Sequence, residues 1–209
     1  LSVCVFISMV FYRVPWQAFD KQIEKTLGGV AVTILILFAV GMLAGSWMIS
    51  GIVPTLIYYG VQLLSPQFFL VCACLICALV SLLSGSSWTT IATIGVALLG
   101  ISHALDINEA MAAGAIISGA YFGDKMSPLS DTTILASSST GVDLFTHIRY
   151  MMFTTMPAFL LTLVIFAVIG FGKGGDDILH VSQYTEGLGS TFNISLWTLL
   201  VPVLTAVLI

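Results

Sequence analysis

Long apolar runs broken by short polar interruptions dominate the chain. Between Lys25 and Asp106 there is no Asp, Glu, Lys or Arg, and positions 150–172 and 187–209 are likewise uncharged. A helix crossing a bilayer needs about 20 predominantly apolar residues, so these stretches have room for several crossings. The pattern predicts membrane helices at about 1–12, 27–49, 67–84, 88–102, 109–139 (broken), 150–171 and 194–209. A shorter helix is expected at 52–64, after Gly51, and loops at 13–26, 137–149 and 173–193. Residues 1–209 are read as one transmembrane unit. Because the chain begins at Leu1 without a Met and stops at Ile209 inside an apolar run, it is expected to be a fragment of something longer.

Composition agrees with the pattern. Of 209 residues, 58% are hydrophobic and 8% charged, with a mean hydropathy of +1.10. Soluble domains carry roughly 25% charged residues to keep their surface hydrated, and one soluble core of this length could not hide so much apolar surface. The fold class expected is therefore an all-α membrane protein, a polytopic helical bundle, with the lipid bilayer as its first partner. The net charge of −4 is spread over scattered acids, and no basic patch suits nucleic acid. Cys74 and Cys77 form a C-x-x-C without a second ligand pair, so they read as small packing residues rather than a metal or redox site.

Lys and Arg bias the orientation, since cytoplasmic loops carry the excess of them. Loop 13–26 holds three of the six, and loop 140–149 has Arg149 with His147, so both are placed in the cytoplasm; loop 173–193 is placed outside. That parity is met if 27–49 goes out, 67–102 dips in and returns as a re-entrant hairpin, and 109–139 crosses back as a discontinuous helix. Segment 52–64 then lies at the outer interface.

Two polar stretches interrupt the apolar pattern where chemistry is expected. In Ser84-Gly-Ser-Ser-Trp-Thr-Thr90, six of seven residues are Gly, Ser or Thr. Around 123–133, Gly123 permits unusual dihedrals, while Pro128 removes a donor and pushes Ser127 out of helical conformation. A helix unwinds at membrane depth only where its freed backbone faces protein or water, and discontinuous helices of this kind build the ion sites of secondary transporters. The donors suit a small hard cation such as sodium: hydroxyls of Ser86, Ser87, Thr89, Thr90, Ser127, Ser130 and Thr132, and carboxylates of Asp124 and Asp131. A carboxylate held away from water favours its protonated form, and a nearby cation reverses this. One such group carries a proton or a sodium ion but hardly both, which is the minimum physics of cation/proton exchange. Lys125 stands beside Asp124 as a charge-balancing group.

The bland alternatives stay open. Either stretch can be an interfacial loop or helix-packing hydroxyls, and an ionisable residue argues for function only if it truly lies at depth. His103, Asp106 and Glu109 surround a helix turn that Asn108 is placed to cap, a structural role with proton access through His103 as its alternative. Gly41–Gly45 and Gly119–Gly123 are G-x-x-x-G pairs, read as close helix packing. The sequon at Asn193 abuts an apolar helix and reads as chance.

The run Gly114-Ala-Ile-Ile-Ser-Gly-Ala-Tyr-Phe-Gly-Asp-Lys-Met-Ser-Pro-Leu-Ser-Asp-Thr-Thr133 resembles the signature of NhaC-type sodium/proton antiporters. Gly85-Ser-Ser-Trp-Thr-Thr90, the region from Ser46-Trp47 to Gly60, and Asp143-Leu-Phe-Thr-His-Ile-Arg149 are similar to other stretches of that family. The resemblance covers essentially the whole chain and implies about the first half of a full-length member. It also implies membership in the wider ion-transporter superfamily, with inverted repeats, each bearing a re-entrant hairpin and a broken helix whose tips meet at the substrate. The hairpin tip would fall at Ser86–Thr90 and the broken-helix loop at Asp124–Thr132.

The reading is a multi-pass secondary antiporter of the prokaryotic cytoplasmic membrane that exchanges sodium for protons. It needs no resident cofactor, and it leaves open a homodimer. Sodium- and proton-coupled exchange of small organic acids, of the malate/lactate type, is the alternative, with Lys125 to hold a carboxylate. A distant alternative is an intramembrane aspartyl protease using Asp124 and Asp131, whose Gly-x-Gly-Asp motif is only partly matched by Tyr121-Phe-Gly-Asp124. No ring of repeated acids supports a channel.

Overall fold

A computed structural model describes residues 2–171, 187, 189–192, 194–202 and 204. Most of the 173–193 loop, the sequon's Asn193 and positions 203 and 205–209 of the last apolar segment lie outside the described residues. The described residues form helices and no strand: α1 (Ser2–Phe11), α2 (Trp16–Ile49), α3 (Ile52–Leu63), α4 (Phe69–Ser84), α5 (Ser87–Thr90), α6 (Val96–Ala104), α7 (Glu109–Met126), α8 (Asp131–Thr140) and α9 (Leu144–Phe171), with a π-helical turn at Ile91–Gly95 and a 3₁₀ turn at Leu196–Leu199.

The chain divides into two compact units, residues 1–40 and 41–209. In the first, α2 begins at Trp16, so most of the expected 13–26 loop is helical. Gln17, Lys21, Glu24 and Lys25 are good helix formers, and polarity by itself does not stop a helix. The connection shrinks to the residues around Pro15.

In the second unit, the end of α2 (Gly41–Ile49) and α3 meet at 71°. The corner is Gly51, whose φ of +83° belongs to the left-handed region that a side chain resists. Pro54 sits in the first turn of α3, where a missing N–H costs nothing. Trp47, Ile52, Val53 and Ala97 close a small apolar cluster around this corner.

The main core lies between α4 and α7, the most extensively packed pair of helices. Phe69, Ala73, Cys74 and Cys77 of α4 meet Ala112, Ala115, Ile116 and Ala120 of α7, all buried. Small residues let the backbones approach: a methyl at Gly119 would run into the Cys74 carbonyl oxygen, and one at Gly123 into the Ala78 carbonyl. The Ser81 hydroxyl donates to the Ala120 carbonyl oxygen across the same interface at 2.6 Å. Cys74 and Cys77 are buried free thiols in this core. At Gly41 and Gly45, by contrast, a methyl would meet no atom within 4 Å. That pair therefore does not make the close packing expected of it among the described residues. A small-residue face permits close approach but needs a partner helix to realise it.

Helix ends follow local chemistry. Asn108 caps α7 as expected, its Oδ1 accepting from the amides of Ala110 (3.0 Å) and Met111 (3.2 Å). Gly141, at φ +68°, ends α8, and Asp143 caps α9 by accepting from the Thr146 amide at 3.1 Å. The expected 137–149 loop thus narrows to three residues, because Gly141 and Asp143 supply a stop and a start side by side.

Two described helices are long and apolar enough to cross a bilayer, Ser87–Ala104 and Leu144–Phe171; the bent pair Gly41–Ile49 and Ile52–Leu63 adds a third if taken as one span. Leu160, Leu161, Val164, Ile165 and Val168 of α9 are all exposed, a face suited to lipid. This is a membrane protein with several candidate spans.

Candidate functional site

The two polar stretches meet. Helix α4 stops at Ser84 because Gly85 turns left-handed (φ +68°), and α5 starts two residues later. A methyl on Gly85 would lie 2.7 Å from the carbonyl carbon of Leu129, so the tip of the α4–α5 hairpin is pressed against the break between α7 and α8. In that break, Ser127 is extended ahead of Pro128, and its carbonyl accepts from the Ser130 amide at 3.3 Å.

Asp124 stands on the last turn of α7, buried, and faces the hairpin tip. The Ser87 hydroxyl donates to Asp124 Oδ2 at 2.8 Å. The other carboxylate oxygen, Oδ1, is buried and has no hydrogen-bond partner among the described residues. An unpartnered buried polar atom is costly and calls for an explanation such as an ion or a proton. Beside the pair, Ser127 and Ser130 are fully buried and Thr90 nearly so. Ser86 caps α5, its Oγ accepting from the Thr89 amide at 3.3 Å and the Thr89 hydroxyl at 3.1 Å. Thr90 donates to the Ser86 carbonyl at 2.9 Å.

The remaining expected residues lie at the margin. Asp131 and Thr132 are exposed at the start of α8, where Asp131 Oδ1 accepts from the Thr132 amide at 2.8 Å and Ser130 and Thr132 share a hydroxyl contact at 2.8 Å. An acid in the first turn of a helix favours the helix dipole whatever else it does. Lys125 is exposed and forms no ion pair with either aspartate among the described residues. The structure brings Asp124 to Ser87 and does not bring Asp131 to Asp124.

Two polar residues outside the expected set hold this geometry. The buried Thr133 hydroxyl contacts the carbonyl oxygens of Asp124 (3.4 Å) and Lys125 (3.2 Å), tying α8 back to the end of α7. Its place at the end of the Ser/Thr-rich run was the available signal. Ser81 gave less, a single hydroxyl in an apolar run. The turn at Ile91–Gly95 is π-helical, a form found mostly as isolated bulges and often at functional sites. Farther off, His103 Nδ1 and Glu109 Oε1 lie 2.7 Å apart, both exposed, beside an apolar groove of about 460 Å³.

Comparison with known proteins identifies relatives of the chain. A model described as the Na+/H+ antiporter family matches residues 119–209, which contain the break and its aspartates. The chain is 45% identical over 211 residues to the Na(+)/H(+) antiporter NhaC of Alkalihalophilus pseudofirmus, covering 100% of this chain and 46% of that protein. It belongs to the NhaC-type Na+/H+ antiporter family. Other relatives of this NhaC-type chain bear different names. The Malate-2H(+)/Na(+)-lactate antiporter of Bacillus subtilis is 46% identical over 214 residues, covering 100% of this chain and 46% of that protein. The arginine/ornithine antiporter ArcD of Halobacterium salinarum is 42% identical over 193 residues, covering 90% and 40%. The chain spans about half the length of the curated relatives it matches. No solved structure matches it. An NhaC-type family is one of transporters and not of enzymes, which removes the aspartyl-protease alternative.

Proposed function

We propose that the full-length protein exchanges sodium ions for protons across a prokaryotic cytoplasmic membrane, and that Asp124 carries the exchangeable charge. One observation carries the reading: a buried carboxylate with one oxygen on a serine hydroxyl and the other unpartnered. A sodium ion or a proton at Oδ1 completes the shell, and each excludes the other. Ser86, Ser87, Thr89, Thr90, Ser127, Ser130 and Thr132 are the proposed oxygen donors around it, with Asp131 as a second carboxylate near the entrance. Lys125, next to Asp124 in the chain, offsets the charge when the sodium leaves.

In this reading α4 with α5–α6 is a re-entrant hairpin and α7–α8 a discontinuous span, together half of an inverted repeat. Length supports it. At 1.5 Å per residue, α4 is about 24 Å long and α8 about 15 Å, both short of the roughly 30 Å hydrocarbon core. The test is Asp124→Asn in the full-length protein, with sodium-dependent proton flux measured in vesicles. Flux should be lost; undiminished exchange would remove Asp124 from the mechanism.

A second reading, coupled exchange of small organic acids, is favoured by the relative whose name contains malate and lactate. Radiolabelled dicarboxylate uptake into the same vesicles separates the two.

A further inference from the structure

An apolar groove of about 460 Å³ runs between α6, with the π-helical turn before it, and α7. On one wall Ile91, Gly95, Leu99 and His103 recur at intervals of four; on the other Glu109, Ala113 and Ile117 do the same. Each wall is therefore a single helix face. His103 Nδ1 and Glu109 Oε1, 2.7 Å apart, stand together at one end, and every other lining residue is apolar. The twelve positions from Ile91 to His103 extend about 18 Å, close to one leaflet's share of a roughly 30 Å hydrocarbon core. Ser87–Ala104 is long and apolar enough to cross a bilayer, and Val96 and Ile117 in the lining are exposed. The groove thus opens sideways along a membrane helix, where a lipid reaches it without leaving the bilayer.

Apolar length alone selects nothing here, because a lipid chain entering the groove exchanges one apolar surrounding for another. Selection falls to the polar end. Glu109 Oε2 has no hydrogen-bond partner among the described residues, so it is an open acceptor. Asp106 lies exposed in the same turn and gives it two carboxylates against one imidazole. No Lys or Arg lines the groove, and Lys125, at the other end of α7 from Glu109, is about 24 Å away. Such an end attracts a cation and repels an anion. A primary ammonium brings three N–H donors to the open oxygen. A choline group brings the same charge without a donor.

We propose that this groove holds one chain of a phospholipid whose headgroup ends in a primary ammonium, such as phosphatidylethanolamine. The ammonium sits on Glu109 and the acyl chain lies along α6 and α7 towards Ile91. His103 fixes the Glu109 carboxylate at the mouth through its 2.7 Å contact. A lipid held there braces α6, which continues from the hairpin tip, against α7, which carries Asp124. The inference rests on the membrane placement of these helices and not on which ion the protein moves.

The experiment is native mass spectrometry of the detergent-solubilised full-length protein. It is titrated with phosphatidylethanolamine, phosphatidylcholine and phosphatidylglycerol of identical acyl chains. Phosphatidylethanolamine should bind at least about tenfold more tightly than either, the size of one charge-assisted hydrogen bond. Glu109→Gln, at an exposed position, should erase that preference. Asp106→Asn removes an exposed charge outside the lining and should alter it by about threefold or less. Ala113→Phe, which fills the groove while leaving Glu109 in place, should remove the bound lipid and carries the test if Glu109→Gln does not elute as a single species. Equal binding of the three headgroups, or a preference that survives both Glu109→Gln and Ala113→Phe, overturns the proposal. A preference for phosphatidylglycerol overturns it as well, by reversing the assigned charge. So does absence of bound lipid, which would assign the groove to the remaining half of the full-length protein.

Discussion

Asp124 has two oxygens in unequal surroundings, and the difference rests on one hydroxyl. Ser87 donates to Oδ2 at 2.8 Å from a buried position, so its removal leaves both oxygens without a protein donor. Leaving a buried acceptor unsatisfied costs about 1–3 kcal/mol. Ser87→Ala in the full-length protein is therefore expected to lower stability by about that amount. In an Asp124→Ala background the same change should cost much less, because the acceptor is gone. Chemical denaturation of the four proteins in the cycle gives the coupling directly, and additive effects would mean that the two side chains do not interact. Thr133 plays a supporting part, since its hydroxyl holds the carbonyls that end α7.

At the scale of elements, what positions this residue pair is the contact of α4 with α7. Gly119 and Gly123 meet backbone atoms of α4, whereas Gly114, on the same helix, meets no atom within 4 Å. The three glycines should thus respond oppositely to alanine. Gly119→Ala and Gly123→Ala force the helices apart and should sharply reduce folded yield, while Gly114→Ala should stabilise by up to about 1 kcal/mol through helix propensity. Melting midpoints and monodisperse yield in detergent distinguish them, and equal effects at the three positions would refute packing as the cause. The sequence marks Gly119–Gly123 and Gly41–Gly45 with the same spacing, and only the first finds a helix to pack on. Spacing reports what a face allows, and the partner is a tertiary fact. The same limit explains the loops: Lys21 and Glu24 read as loop because they are charged, yet they extend α2, whereas Gly85, Asn108 and Pro128 mark their breaks correctly because their constraints are local.

At the scale of the whole molecule, the candidate site exists only because two breaks some forty residues apart in sequence come to one place. Each break is legible from composition, and the carboxylate with its neighbouring hydroxyls is legible too. Their pairing is not, since the contact of Gly85 with Leu129 depends on how α4 and α7 cross. Nor does the sequence separate the buried Asp124 from the exposed Asp131, which share one polar run. The membrane arrangement proposed for these elements has a direct consequence. Helices α7 and α8 together cover 109–140; α8 alone, at about 15 Å, does not reach across the roughly 30 Å core, and α7 carries Glu109, Asp124 and Lys125. If they form one interrupted span, the turn before α7 and the turn after α8 lie on opposite sides. Asp106 and Val142 are exposed in those turns. In the full-length protein with its native cysteines replaced, Asp106→Cys should react with a membrane-impermeant maleimide only from outside the cell. Val142→Cys should react only from the cytoplasmic side, where the charge bias places the Arg149 end of α9. Labelling of both from one side would mean that α7 and α8 fold back instead of crossing, and Asp124 would then sit at the tip of a second re-entrant loop.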